Sequence, residues 1–150
     1  MDTTMPPTAS TPNGWTHDPM DGLLRHLGGL WVRRIEGQIG GHSAGQTEFG
    51  FVATDIHANR NGVVHGGMLM TFIDRVFGQT ARDAGQAQRG ATINLNISFL
   101  APMQLGSFAT LCPRVTRVTG RMAFVEGTVL CDGAALATAQ GVWRISRSGG

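Results

Sequence analysis

The stretch Asn59–Asp83, NRNGVVHGGMLMTFIDRVFGQTARD, decides how the chain is read. From Leu69 onward the residues Leu69, Phe72, Ile73, Val76, Phe77 and Thr80 recur at the spacing of an amphipathic helix, sustained over about four turns. One long helix over 66–83 is predicted. At 100° per residue Asp74 falls roughly 120° from the centre of that apolar stripe, so it borders the buried face, while Arg75 and Arg82 fall on the far side. Met70 and Gly78 occupy the positions four residues before and after Asp74, so no helical neighbour neutralises its charge. The helix opens at His65-Gly66-Gly67, where free backbone N–H groups and the positive end of the dipole favour developing negative charge. An anion-stabilising helix start with a carboxylate two turns further on suggests acyl transfer.

The flanking segments read as strands. Upstream, residues 18–29 form a short helix, with Asp18 or Asp21 as N-cap, an apolar stripe of Leu23, Leu24 and Leu27, and Gly28-Gly29 as its stop. Two β-like runs, 30–39 and 46–55, then flank the glycine-rich connection 40–45 as a hairpin. Downstream, residues 91–99 alternate, with Ala91, Ile93, Leu95, Ile97 and Phe99 on one face and Thr92, Asn94, Asn96 and Ser98 on the other. Further strand-like runs at 107–118, 121–131 and 134–145 are joined by turns bearing Gly120 and Gly133. The expected architecture is α+β, a long central helix wrapped by a roughly six-stranded antiparallel sheet. Residues 1–14, rich in Pro, Thr and Ser, are expected to be a disordered tail ahead of a single domain over 15–150.

Composition narrows the chemistry. All 12 basic residues are Arg, and the chain has neither Lys nor Tyr. That excludes Schiff-base chemistry, a Walker-type phosphate lysine and tyrosine-based proton donation. Net charge is only +2 and the arginines are scattered, so neither nucleic acid nor an anionic membrane is expected as a partner. Cys112 and Cys131 stand in no CxxC or metal spacing, and the opening residues lack the apolar core of a signal peptide. A reduced, cytoplasmic protein is expected, and no run approaches the roughly 20 apolar residues of a membrane span.

Asn59-x-x-Gly62-x-x-His65-Gly66-Gly67, followed nine residues after the histidine by Asp74, resembles the signature of the PaaI-like hotdog-fold thioesterases. The likeness covers about residues 20–146, including the strand bearing Thr92 and the closing Ala139-Gln140-Gly141. It implies a hotdog fold whose subunits pair as a homodimer or homotetramer, with acyl-CoA lying between them. It also implies an acyl-CoA thioesterase releasing a carboxylic acid and free CoA, with no cofactor beyond the coenzyme A of the substrate. By that resemblance Gly66 would offer its N–H to the thioester carbonyl, with Asn59 near that oxygen or near His65. Asp74, from the partner subunit, would be general base or nucleophile, and Thr92 would help hold the water. Gly67, Arg89, Arg117 and Arg121 would contact the CoA portion. Met68, Met70, Phe77 and the 18–29 helix would set the acyl group. Each oxyanion donor typically supplies about 3–4 kcal/mol, and a thiolate leaves without a strong general acid.

Plainer readings stand beside these: His65 as a turn histidine, the glycines as a tight helix entry, Asn59 as an Asx turn, Thr92 as an ordinary strand residue and the arginines as solvated surface. Competing functions are a non-catalytic acyl-CoA-binding hotdog protein and a hotdog hydratase or dehydratase. Gly41-His42-Ser43-Ala44-Gly45 fits the G-x-S-x-G elbow of serine hydrolases, but the residues after it alternate like a strand and no histidine follows His65. Asp55, His57 and His65 lie in a loop without metal-ligand spacing, so no metal site is expected.

Overall fold

The computed structural model describes residues 14–39 and 42–147. The expected tail, apart from Gly14, and Gly41 of the G-x-S-x-G match lie outside the described residues. In chain order the elements are β1 (Thr16–Asp18), α1 (Gly22–His26), β2 (Leu30–Ile39), β3 (His42–Val52), a 3-10 turn (Asp55–His57), α2 (Gly66–Gly85), β4 (Arg89–Phe99), β5 (Phe108–Leu111), β6 (Arg114–Val118), β7 (Met122–Cys131) and β8 (Ala134–Ser146). The strands form one antiparallel sheet in the order β1-β2-β3-β5-β7-β8-β4, with β6 paired to β7.

The helical periodicity is realised as drawn. Leu69, Phe72, Ile73, Val76 and Phe77 are buried against the sheet, and α2 runs two residues past its expected end. Phe72 meets Phe51 of β3 at 4.9 Å between ring centroids, and Phe77 meets Trp143 of β8 edge-on at 5.8 Å. Inward residues of the sheet, among them Leu30, Phe49, Leu111, Val125, Val129 and Ile145, complete the same core.

Among the described residues the sheet has eight strands rather than the roughly six expected. Thr16–Asp18 adds an edge strand on β2, too short to show a period. The run 107–118 breaks into β5 and β6 around Cys112-Pro113, where proline has no N–H for the ladder and restricts the residue before it. The helix expected over 18–29 shortens to Gly22–His26, because Thr16–Asp18 is extended and Gly28 and Gly29 both have positive φ. Strand β3 begins at His42, so Ser43 sits within a strand and not at a strand-to-helix elbow.

One break in alternation matters for the site. Between Thr92 and Asn94 the β4–β8 register shifts, with Thr92 opposite Trp143 and Asn94 opposite Val142. A bulge of this kind puts two residues against one and re-aims a side chain. Thr92 therefore joins Leu95, Ile97 and Phe99 on the face turned to α2, opposite buried Trp143, instead of sharing the outer face with Asn94 and Asn96. The faultless alternation expected over 91–99 is corrected at that point.

Strand β4 lies at the end of the sheet, and its second edge has no strand partner among the described residues. Ile93 and Phe99, 57% and 50% exposed, mark that edge. Trp143 fills the space between α2 and the sheet, so Trp143→Ala is expected to cost about 3–5 kcal/mol in urea unfolding.

Candidate active site at the start of the long helix

The turn before α2 is held by its backbone. Asn59 N–H donates to Val63 O at 2.7 Å, Gly62 N–H to Asn59 O at 3.1 Å, Val64 N–H to Met103 O at 2.9 Å and His65 N–H to His57 O at 2.7 Å. Asn59 Oδ1 accepts from Asn61 N–H at 2.8 Å and Val63 N–H at 3.3 Å, an Asx turn that commits this oxygen to the loop. Gly62 closes the turn at φ 76°, a conformation glycine adopts without strain.

His65 is the N-cap of α2. Its Nδ1 accepts from Gly67 N–H at 2.8 Å, so in the neutral ring Nε2 carries the proton, and this exposed donor has no partner among the described residues. The Gly67 amide is thereby used inside the chain, and a Cβ at Gly67 would sit 3.0 Å from His65 Nδ1, crowding the cap. The Gly66 N–H, in contrast, has no hydrogen-bond partner among the described residues. Nothing in the fold demands glycine at Gly66, since its φ is ordinary and a Cβ there would meet only the Phe99 ring, 3.4 Å away. Glycine at a helix position costs about 0.5–1 kcal/mol relative to alanine. Its benefit is an open approach to the amide.

Asp74 is half-buried on the same flank of α2, and its Oδ1 accepts from Thr92 Oγ1–H at 2.6 Å. The bulge in β4 is what brings Thr92 to this face. Oδ2 makes no hydrogen bond among the described residues and is the free end of the carboxylate. Gly66, Met70 and Asp74 stand at i, i+4 and i+8, alongside the inner face of β4, with Phe99 against Gly66 and Thr92 against Asp74. The rise of eight residues separates Gly66 from Asp74 by about 12 Å along the axis.

Arg89, Arg121 and Arg144 gather at the Thr92 end of β4. Arg89 lies opposite Ser146, Arg144 lies opposite both Ala91 and Met122, and Arg121 O accepts from Ile145 N–H at 2.9 Å. Arg117 stands one strand further on, opposite Phe124. All four are exposed, and none is in an ion pair among the described residues. Arg144, hidden in a strand-like run, was not singled out by the sequence. Arg82, expected on the far side of α2, instead lays its stem against Gly90.

The sequence reading weighed His57 only as a loop residue and metal-ligand candidate, yet it is 3% exposed. Its Nε2–H donates to Leu27 O at 2.8 Å and its Nδ1 accepts from Thr54 N–H at 3.0 Å. Burial lowers its pKa from the ordinary histidine value, and the bond to the Leu27 carbonyl pulls partly the other way. Among the described residues no group of three or more His, Cys, Asp and Glu side chains is placed to hold a metal ion. No helix among them is long and apolar enough to cross a membrane.

A sequence model of the thioesterase superfamily matches residues 61–138, which include Gly66, Asp74 and Thr92. The chain belongs to that superfamily. A Saccharolobus solfataricus protein carrying the name of an esterase is 38% identical over 90 residues, 59% of this chain and 64% of that protein, so the match spans just under two thirds of its length. The fold is similar to that of the E. coli PaaI protein from the phenylacetic acid degradation operon, with TM-score 0.67, 18% identity, and 83% and 84% of the two chains covered. It is also similar to a Streptococcus pneumoniae protein described as a hypothetical thioesterase and solved with coenzyme A, with TM-score 0.65, 18% identity, and 78% and 91% covered. Identities this low speak for the fold alone, and the fold is the PaaI-like hotdog.

Two outcomes follow from this geometry. Gly66→Ala is expected to fold with stability within about 1 kcal/mol of the parent in urea unfolding, because no strained backbone and only the Phe99 ring stand against the added methyl. In the folded chain His57 resists protonation, whereas the unfolded chain takes the proton near pH 6.5. Stability from this group is therefore lost as pH falls below about 6.5, and urea midpoints should be less acid-sensitive in His57→Gln than in the parent.

Proposed function

We propose that the chain is an acyl-CoA thioesterase that hydrolyses its substrate to a carboxylic acid and free CoA, with an active site built by two copies of the chain. The observation that carries this reading is the pairing, on one flank of one helix, of an unpartnered Gly66 N–H with a half-buried Asp74 carboxylate whose Oδ1 is held by Thr92. A thioester carbonyl would have to lie within about 3 Å of both groups, and they stand about 12 Å apart along the axis. One copy alone cannot close the site.

The unpaired β4 edge supplies the remedy. An eleven-residue edge with exposed Ile93 and Phe99 is a template for a second strand, and joining two copies there would bring the Gly66 flank of one helix toward the Asp74 flank of the other. In that arrangement the Gly66 amide, at the positive end of α2, receives the charge that develops on the carbonyl oxygen. Asp74 Oδ2 is the reacting atom: it takes a proton from the attacking water or attacks the carbonyl itself, and CoA leaves as thiolate. Thr92 fixes the carboxylate so that Oδ2 points outward. The exposed Nε2–H of His65 and the side-chain amide of Asn59 are further donors beside the carbonyl.

Arg89, Arg117, Arg121 and the added Arg144 suit the phosphates of CoA, because guanidinium groups bind phosphate bidentately. Gly67 serves the site through the His65 cap instead of through its own amide. The coenzyme A bound by the S. pneumoniae protein supports a CoA thioester as substrate. We place the protein in the cytoplasm, in keeping with its two free cysteines.

The test is thiol release over short, long and aromatic acyl-CoAs. Asp74→Asn is expected to lower kcat about a thousandfold while CoA still binds. A folded Asp74→Asn protein that hydrolyses at the parental rate would refute the assignment.

A further inference from the structure

His57 is a buried titratable side chain that the proposed reaction does not use, and it is satisfied on every polar atom. Its ring bridges two otherwise separate segments. Nε2–H is bonded to Leu27 O, the residue that closes α1, and Nδ1 accepts from Thr54 N–H, where β3 gives way to the 3-10 turn. The ring stands edge-on against Phe51 at 5.7 Å, and Phe51 packs in turn on Phe72 of α2. The main-chain oxygen of the same residue accepts from His65 N–H at 2.7 Å.

The His65–Gly66 peptide is the one whose N–H faces the substrate. Three bonds position it: its own carbonyl accepts from Met68 N–H at 2.9 Å, and the peptides on either side are held by Gly67 N–H to His65 Nδ1 and by His65 N–H to His57 O. Two of the three are internal to the start of the helix. The third ties that start to the body of the protein, and its acceptor belongs to the residue whose ring is bolted at both nitrogens. Asp55, beside His57 on the turn, and Arg25 and His26 on α1 are exposed, and none of them bonds to the ring. Among the described residues, polar contact with the ring comes from the backbone alone.

We propose that His57 is a positioning residue for the thioesterase reaction: by pinning α1 and the 3-10 turn through its two ring nitrogens, it fixes the carbonyl that holds His65 and thereby the direction of the Gly66 N–H. This rests on the reading of Gly66 as the oxyanion donor. A donor displaced by about an ångström loses on the order of a hundredfold in rate without a matching loss in ground-state binding. The neutral ring with its proton on Nε2 is the only state that makes both bonds, because an imidazolium Nδ1–H would confront the Thr54 N–H, and the other neutral tautomer would confront both partners.

The experiment compares the full chain with His57→Phe, which keeps a ring against Phe51 and deletes both hydrogen bonds, and with His57→Gln, whose amide can still donate to Leu27 O. Steady-state thiol release is read together with CoA binding. In His57→Phe kcat is expected to fall about tenfold or more, with KM and the CoA Kd within about twofold of the parent, and His57→Gln should recover part of the loss. A folded His57→Phe protein with parental kcat, or one in which kcat and KM move together, overturns the proposal. Should His57→Phe fail to fold, two results still decide. Long-range ¹⁵N–¹H spectra of the parent must show a neutral ring protonated at Nε2 at neutral pH, and His57→Gln must lose kcat in preference to KM. An imidazolium, the Nδ1–H tautomer or a parental His57→Gln rejects the role. Absence of thiol release by the parent on every acyl-CoA counts against the hydrolase reading instead, and the ring spectra then test the pinning by themselves.

Discussion

The rotation of α2 about its own axis is the constraint from which the rest of the molecule follows. Phe72, Ile73, Val76 and Phe77 are fully buried against the sheet, and together they leave one orientation for the helix. Burying side chains of this kind contributes about 1.5–3 kcal/mol each, far more than any polar contact on the open flank. With that orientation set, Gly66, Met70 and Asp74 are carried along the inner face of the edge strand β4. The candidate site is therefore a by-product of core packing: the helix is held by its apolar stripe, and the adjoining flank is left to carry Gly66 and Asp74.

A second level of organisation lies in the turn ahead of the helix, where nearly every amide is accounted for. Asn59 Oδ1 takes two backbone N–H groups, and Asn59 O, Val63 O, Met103 O, His57 O and His65 Nδ1 take one each; among the described residues the Gly66 amide, at the helix start, has no partner. An unsatisfied donor is ordinarily a cost. At the positive end of a helix, with no side chain of its own to obstruct approach, it suits the proposed carbonyl oxygen that gains negative charge. The glycine pair divides the labour, Gly67 closing the cap and Gly66 keeping the opening.

Much of this was legible in the residues. The spacing of Leu69 to Thr80 gave the helix and the border position of Asp74, and the motif from Asn59 to Gly67 gave the turn. What escaped has a physical reason in each case. The bulge at Thr92 is a backbone event that strict alternation conceals, so periodicity grouped Thr92 with Asn94, Asn96 and Ser98 although it bonds to Asp74, and the family resemblance was the sign that put it at the site. Strand β1 owes its existence to pairing with β2, since three residues carry no period. His57 looked like a loop histidine because its partners, Leu27 O and Thr54 N–H, are backbone groups without a sequence signature. Arg144 was hidden by the alternation of its own strand, whose register alone puts it beside Arg89 and Arg121.

The central claim is that each active site takes its amide from one copy and its carboxylate from another. Co-expression of Gly66→Val chains with Asp74→Asn chains tests it most directly, because each parent assembly is missing one half of every site. A mixed dimer pairs the intact Gly66 of one chain with the intact Asp74 of the other, so thiol release should return, with one working site per mixed dimer. If mixed dimers form and hydrolysis stays at the level of the single variants, the two groups do not act across copies and the account of the site is contradicted.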